Sequence, residues 1–259
     1  MGGGVMEAVM DRIAACKCCG GPAPSFGRVD FHKSCESRRR EVFPPSGILI
    51  EYHRCPSCRF LFTTDFDGFT ADDLKRYIYN DDYIRVDPDY PEERPRINAD
   101  NLSVLFPADR PRRTLDYGGG SGRLAELLRV RGFGEVRTYD PFVEAFAERP
   151  AGRFDLIVCT EVLEHATDPR RVLEDIAGLL DDPGMVLFTT LLQPPDLDSQ
   201  GLGWWYVGPR NGHVSLFTAE SLDRLAEPLG LHLASFNDSW HVLLRDRIPD
   251  FARRFVQPA

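Results

Sequence analysis

The stretch Arg113-Thr-Leu-Asp-Tyr-Gly-Gly-Gly-Ser-Gly-Arg-Leu-Ala125 decides how the chain is read. Its first residues, Thr114 to Tyr117, have the short apolar-leaning character of a strand. Three glycines follow, then Ser121 and Gly122, and a helical pattern starts near Arg123. Glycines are required where a backbone turns sharply and must approach a ligand closely, because a Cβ there would clash. The helix that follows points unpaired N–H groups and a partial positive charge back at the loop, which favours a ligand carboxylate or phosphate. Strand, glycines and helix stand in the order such a site demands.

Outward from this stretch, strand and helix patterns alternate. Strands are predicted over 114–117, 136–140, 155–160 and 185–191, and helices over 122–131, 142–148 and 168–180. Asp181-Asp-Pro-Gly184 is a turn signal, and Thr218 caps a further helix that ends before Gly230. Short strands near 231–236 and 241–244 complete the pattern. Such alternation predicts an α/β fold with a doubly wound, mainly parallel sheet. The interval between Asp140 and Phe154 leaves room for a short helix, so the third strand is expected to be shortened.

Two ligands fit the glycine loop. Reading from Gly120, Gly-Ser-Gly-Arg-Leu-Ala satisfies a relaxed dinucleotide fingerprint, with Asp140 about 20 residues on. Reading from Asp116, the pattern Asp-x-Gly-x-Gly-x-Gly resembles the first motif of class I S-adenosylmethionine (SAM) methyltransferases. Phe154-Asp-Leu-Ile-Val-Cys-Thr-Glu-Val-Leu-Glu-His165, followed by Asp168-Pro169, resembles their motif after strand four. Trp204-Trp-Tyr-Val-Gly-Pro-Arg-Asn-Gly-His-Val-Ser-Leu-Phe-Thr218 is similar to the acceptor-side segment of the ubiquinone-type O-methyltransferase branch. The likeness covers roughly residues 113–235 and decides for SAM over a nicotinamide. It implies a Rossmann-like methyltransferase fold in which Gly118, Gly119, Gly120, Ser121 and Gly122 wrap the methionine part of SAM. It also implies that Asp116 lies near the ammonium, that Asp140 before Pro141 binds ribose, and that Thr160 and Glu161 line the pocket.

Upstream, Cys16-Lys-Cys18-Cys19 and Cys55-Pro-Ser-Cys58 form two C-x2-C knuckles. Four thiolates from two such turns converge tetrahedrally on zinc. Cys16, Cys19, Cys55 and Cys58 are the expected ligands of a structural zinc ion in a small zinc-ribbon-like module. Cys18 stands as an alternative to Cys16, and His32 and Cys35 as further substitutes. The paired knuckles ahead of such a core resemble the zinc-binding domain of sugar C-methyltransferases acting on nucleotide-linked deoxysugars. The large third domain of those enzymes is not expected here, which counts against both a sugar-nucleotide substrate and carbon methylation. Expected boundaries are 1–64 for the zinc module, 65–112 for a helical cap and linker, and 113–259 for the SAM-binding domain. Within the first two, a leader helix is read over 5–15, strands over 47–54 and 60–63, and helices from Thr70 and over 96–106.

A hydroxyl acceptor needs a base, and His213 and His165 are the candidates. Glu161, Glu164 and His165 have the spacing of one helical face, which in the ubiquinone-type branch is associated with a divalent metal. Trp204, Trp205 and Tyr206 are read as an aromatic wall, and Tyr77, Tyr79 and Tyr83 as a cover for the ligand. The chain of 259 residues carries a formal charge of −9, which argues against a sequence-independent grip on nucleic acid. No apolar run is long enough to span a bilayer, and the first residues lack a signal core, so cytoplasmic residence is expected. The reading is a SAM-dependent methyltransferase for a small-molecule or sugar-type acceptor. The rivals are a protein or peptide methyltransferase whose zinc module docks the partner, and a non-catalytic SAM-sensing interaction protein.

Overall fold

The computed structural model describes residues 13–40, 42–107 and 110–255. The expected leader helix over 5–15 falls mostly outside them. Its last residues form β1 (Ala14–Ala15), paired antiparallel with β2 (Pro22–Ala23) around the first knuckle. Then β3 (Ser25–Asp30), β4 (Leu49–Arg54) and β5 (Leu61–Thr63) run antiparallel. Three helices follow: α1 (Ala71–Tyr77), α2 (Tyr83–Val86) and α3 (Glu93–Leu105). A capping box starts α1, with the Thr70 hydroxyl accepting the Asp73 N–H and the Asp73 carboxylate accepting the Thr70 N–H.

The central sheet holds β6 (Arg113–Tyr117), β7 (Glu135–Tyr139), β8 (Phe154–Thr160) and β9 (Leu180–Thr189), all parallel. Between them run α4 (Arg123–Val130) and α5 (Pro169–Leu179). After β9 come α6 (Leu197–Gln200), β10 (Ser215–Leu216), α7 (Ala219–Ala226), β11 (His232–Ser235) and β12 (Trp240–Leu244). The sheet order is β11-β12-β9-β8-β6-β7, with β12 antiparallel to both neighbours. Alternate residues of β8 serve opposite layers. Leu156 and Val158 join Ala99, Leu102, Leu124 and Leu128, whereas Ile157 and Cys159 join Leu173, Ile176, Leu222 and Leu225. Helices therefore cover both faces of a mainly parallel sheet, and its central strands β8 and β9 carry the apolar runs Leu156–Cys159 and Met185–Phe188 that burial on both sides needs.

Local differences from the sequence reading have physical causes. Among the described residues no third strand stands between β7 and β8; the span predicted as a helix over 142–148 is a 3-10 turn, Glu144–Phe146. The Asp181–Gly184 turn signal lies inside β9. Leu180 already pairs with Phe154, and the next pairing is Leu156 with Met185, so the four residues loop out as an irregularity of the ladder. The small sheet has the order β10-β5-β4-β3, so a strand from well beyond Arg113 completes it. Neither β3 nor β10 was expected.

The joint between the two sheets is apolar. Phe60 stacks on Phe62 at 5.3 Å and tilts against Phe217 at 5.1 Å, and all three are fully buried. Around them the Thr218 hydroxyl donates to Cys58 O at 3.0 Å and the Cys18 thiol to Ser221 O at 3.0 Å. Truncation at Phe217→Ala removes a ring from this joint and is expected to cost about 3–5 kcal/mol. Urea unfolding of the variant checks this through a lowered midpoint.

Candidate functional site

The loop after β6 is built as a cradle. Gly118, Gly120 and Gly122 have φ of +69°, +54° and +78°, a region that favours glycine. A Cβ on Gly118 would lie 2.5 Å from Val162 Cγ2, and one on Gly119 would lie 2.3 Å from Asp116 Oδ2. Ser121 is exposed beside them. Asp140, at the end of β7, fixes the loop: one carboxylate oxygen accepts the Gly120 N–H at 2.9 Å and the other the Phe142 N–H at 2.9 Å. Pro141 is exposed between those two anchor points.

Asp116 lies directly beneath Gly119 and is 1% exposed, with Oδ2 enclosed and unpartnered. Burial pushes its carboxyl up to about 7, opposed by a hydrogen bond from the Ala125 N–H at the start of α4.

Across the crevice, β8 ends at Thr160, opposite Thr189. Glu161 has φ +54°, a left-handed backbone that is uncommon outside glycine. Its N–H donates to Thr189 Oγ1 at 3.0 Å, and the Thr189 hydroxyl donates to Glu161 Oε1 at 3.0 Å. The left-handed residue breaks the helix that the Glu161, Glu164, His165 spacing predicted. Only a 3-10 turn, Leu163–His165, follows, and the shared face is lost.

What comes together instead is Glu164, His165 and His213, whose ligand atoms lie within 4.8 Å of one another. Glu164 is fully buried and accepts from the Tyr206 hydroxyl at 2.5 Å, while its Oε2 has no partner. Burial raises its pKa, and the neighbouring Glu161 charge adds to the rise. His165 Nδ1 is likewise enclosed without a partner, and burial lowers its imidazole to about 4. The His213 ring packs 5.0 Å from His165 and 4.3 Å from Tyr206. His213 Nδ1 stands 2.8 Å from Tyr206 O, so Nδ1 carries the proton and Nε2 keeps its lone pair. Burial and the adjacent His165 push its pKa well down.

Three distant segments hold this histidine. The Tyr52 hydroxyl donates to His213 O at 2.6 Å, the Thr63 N–H to Val214 O at 3.0 Å, and the Val214 N–H to Glu164 O at 2.8 Å. Tyr79 lies 6.2 Å from the His165 ring and 5.2 Å from Tyr83, whereas Tyr77 packs against Phe69, away from the site. Trp204 and Tyr206 are buried, and Trp205 is half-buried beside Tyr206. Arg94 was not singled out from the sequence, because it sits in a stretch dense with charge. It pairs bidentately with Asp87 at 2.7 and 2.8 Å, and Glu161 is among the charges that favour its guanidinium.

The cysteine cluster lies apart from this crevice. Sγ of Cys16 is 3.6 Å from Cys58, and Sγ of Cys19 is 3.5 Å from Cys55; all four fall within 4.8 Å of one another. A tetrahedral site with zinc–sulfur bonds near 2.3 Å requires sulfurs about 3.8 Å apart, so the donor set fits zinc. Cys18 bonds to Ser221 O, His32 Nδ1 lies 2.7 Å from Pro44 O, and Cys35 Sγ is 3.6 Å from His213 Nδ1, so none of these joins the four. No helix among the described residues is long and apolar enough to cross a membrane.

A doubly covered parallel sheet with a glycine cradle at its carboxyl edge defines a nucleotide-cofactor α/β domain. A family model described as a methyltransferase domain matches residues 90–235, more than half of the chain. The chain belongs to the class I SAM-dependent methyltransferase family. It is 36% identical to a ubiquinone biosynthesis O-methyltransferase of Erwinia tasmaniensis, over 30% of this chain and 32% of that protein. With the Azotobacter vinelandii protein of the same name the identity is 31%, over 32% of this chain and 46% of the relative. The chain thus spans less than half the length of these relatives. An O-methyltransferase family protein from Burkholderia thailandensis aligns with a TM-score of 0.48 and 16% identity, over 69% of this chain and 63% of its own.

The raised Asp116 pKa sets a pH dependence. Between the unfolded value near 3.8 and the folded value near 7, the native state holds the extra proton, so stability falls as pH rises through that window. Asp116→Asn is expected to flatten this slope and to raise stability at pH 8 by a few kcal/mol at most, with little gain at pH 4. Denaturant titrations at the two pH values read the difference.

Proposed function

We propose that this protein transfers a methyl group from SAM to a hydroxyl oxygen of a small-molecule acceptor. The observation that carries the reading is the cradle: three left-handed glycines above a buried carboxyl with an unpartnered oxygen, edged by Asp140. SAM supplies a methyl group on a sulfonium, an electrophile that needs no further activation. Gly118, Gly119, Gly120, Ser121 and Gly122 would receive its methionine part, with the Asp116 oxygen beneath its ammonium and Arg94 toward its carboxylate. Asp140 and Pro141 would meet the ribose, and Thr160 and Glu161 would close the pocket from β8.

The remaining work falls to this chain's own groups. His213 Nε2 takes the acceptor proton, Tyr206 fixes the ring through Nδ1, and Glu164 anchors Tyr206. His165, packed against His213, completes the dry wall around the transferred proton. The relatives' name, O-methyltransferase, supports oxygen over carbon. Cys16, Cys19, Cys55 and Cys58 would hold structural zinc, keeping rigid the small sheet that supports the His213 loop. A second reading rests on the two orphaned atoms, Glu164 Oε2 and His165 Nδ1. With His213 they form a set of two imidazoles and one carboxylate suited to a divalent cation that would align the acceptor oxygen.

Calorimetric titration with SAM is the first check. Gly118→Val, which drives a side chain into Val162, is expected to weaken SAM binding at least about tenfold, the size of a 1.4 kcal/mol loss. If wild-type protein shows no SAM binding, the reading falls. His213→Ala is expected to keep SAM affinity while slowing methyl transfer about 10²–10⁴-fold, the range of a lost general base. The acceptor for that assay comes from labelled SAM and a fractionated extract of the source organism. Stripping zinc with a chelator is expected to abolish transfer before it abolishes SAM binding, because the metal supports the base and not the cradle.

A further inference from the structure

The two sides of the crevice carry opposite charge. On the donor side stand Asp116, Asp140 and Glu161, with Arg94 already paired to Asp87. On the acceptor side cations gather around one loop, residues 204–211. Lys33 donates to Trp204 O at 2.9 Å and to Val207 O, and has no carboxylate partner among the described residues. Arg38 is exposed and stacks on the Trp205 ring at 3.7 Å, also without a carboxylate. Arg40 is exposed and, among the described residues, reaches Arg85 O and no carboxylate. Arg210 belongs to the loop itself; its N–H donates to Lys33 O at 3.1 Å, and its guanidinium shares the Phe43 ring with Arg85. Among the described residues of this group, Arg39 and Arg85 find acids, Glu36 and Asp82.

Lys33 and Arg210 are satisfied by carbonyls and by Asn80 Oδ1, which leaves the exposed Arg38 and Arg40 as a local positive field able to draw an anion in a chain whose formal charge is −9. The cluster is also continuous with the base. From His213 the contacts run to Tyr206 at 4.3 Å, on to Trp205 at 5.3 Å, and from Trp205 to Arg38 at 3.7 Å. Guanidinium forks match phosphate oxygens in plane and spacing, and a stacked ring holds the fork in place. We infer that the acceptor bears a phosphate or diphosphate group that docks on Arg38 and Arg40 beside Trp205 while its hydroxyl reaches His213. The inference rests on the donor side being the SAM site, as proposed above.

The test uses the intact 259-residue chain as purified, with SAM bound, titrated with inorganic pyrophosphate in the calorimeter. Pyrophosphate is expected to bind, and the Arg38→Ala/Arg40→Ala double variant to bind it about tenfold more weakly, as expected for losing charge-assisted hydrogen bonds. SAM affinity measured on the same double variant should be unchanged, which also shows that it folds. Arg112→Ala, far from the loop, should bind pyrophosphate as wild type does. The assignment is overturned if SAM-loaded wild type fails to bind pyrophosphate, if both variants lose it equally, or if malonate binds as tightly as pyrophosphate. Failure to bind SAM itself would instead overturn the methyl-donor reading, so the two failures stay distinct.

Discussion

Two residues of β10, Ser215 and Leu216, pair with Phe62 and Leu61 of β5, and this short ladder fixes where His213 stands. Val214, between the histidine and the ladder, gives its N–H to Glu164 O and takes the Thr63 N–H on its own carbonyl. His213 is thereby tied at once to the turn after β8 and to the front sheet. Each such hydrogen bond is worth only about 0.5–1.5 kcal/mol net, so the ladder alone is a weak tether. The buried rings of Phe60, Phe62 and Phe217 supply more, at about 1.5–3 kcal/mol for each side chain taken from water. The apolar joint holds the module on, and the hydrogen bonds set the register in which it is held.

Burial then decides the charge state of the site. His165 and His213 both stay neutral because an imidazolium in that dry pocket loses its solvation and faces its neighbour. Glu164 is pushed toward its protonated form for the same reason. Its difference from Asp116 is instructive. Both carboxyls are enclosed with one oxygen unpartnered, and each has a donor favouring its ionised form; for Asp116 the Ala125 N–H outweighs the Asp140 charge, whereas for Glu164 the Glu161 charge outweighs the Tyr206 hydroxyl. A cation arriving above the glycine loop meets a carboxyl poised near neutrality. One arriving at Glu164 meets a carboxyl whose pKa burial and the Glu161 charge both raise. In both places low local dielectric enlarges whatever charge enters.

Much of this was legible in the residues. The glycine loop, each strand and helix of the alternation, each cysteine knuckle and the Gly-flanked His213 are local patterns, readable from their immediate neighbours in the chain. What escaped was non-local or depended on one backbone angle. A two-residue strand such as β10 carries no periodicity of its own and exists because β5 is there to receive it. Nothing in the spacing of Glu161, Glu164 and His165 announces that Glu161 turns left-handed; the Thr189 hydroxyl, bonding both its N–H and its carboxylate, lies far along the chain. Cys18 and Cys16 were interchangeable on spacing alone; in the fold the Cys16 sulfur groups with those of Cys19, Cys55 and Cys58, while the Cys18 thiol donates to Ser221 O.

The missing third strand has its own consequence. With no neighbour beyond it among the described residues, β7 is the edge of the sheet, and an open edge offers unpaired backbone groups to other chains. This edge is blunted locally. The Arg129 guanidinium turns back from α4 to donate twice to Val136 O, at 3.0 and 2.6 Å, and Glu135 and Arg137 place exposed, mutually paired charges on the strand. At its carboxyl end Asp140 receives the Gly120 N–H and the Phe142 N–H, so the same edge that needs protection also shapes the cradle. A third strand would cover β7 and supply further side chains to the crevice. Without it, the 3-10 turn at Glu144–Phe146 does that work: Phe146 O accepts the Asp140 N–H at 3.0 Å, and the Phe146 ring lies where a Cβ on Gly122 would stand. The shortening thus leaves the cradle intact and moves its outer wall from a strand to a single aromatic turn.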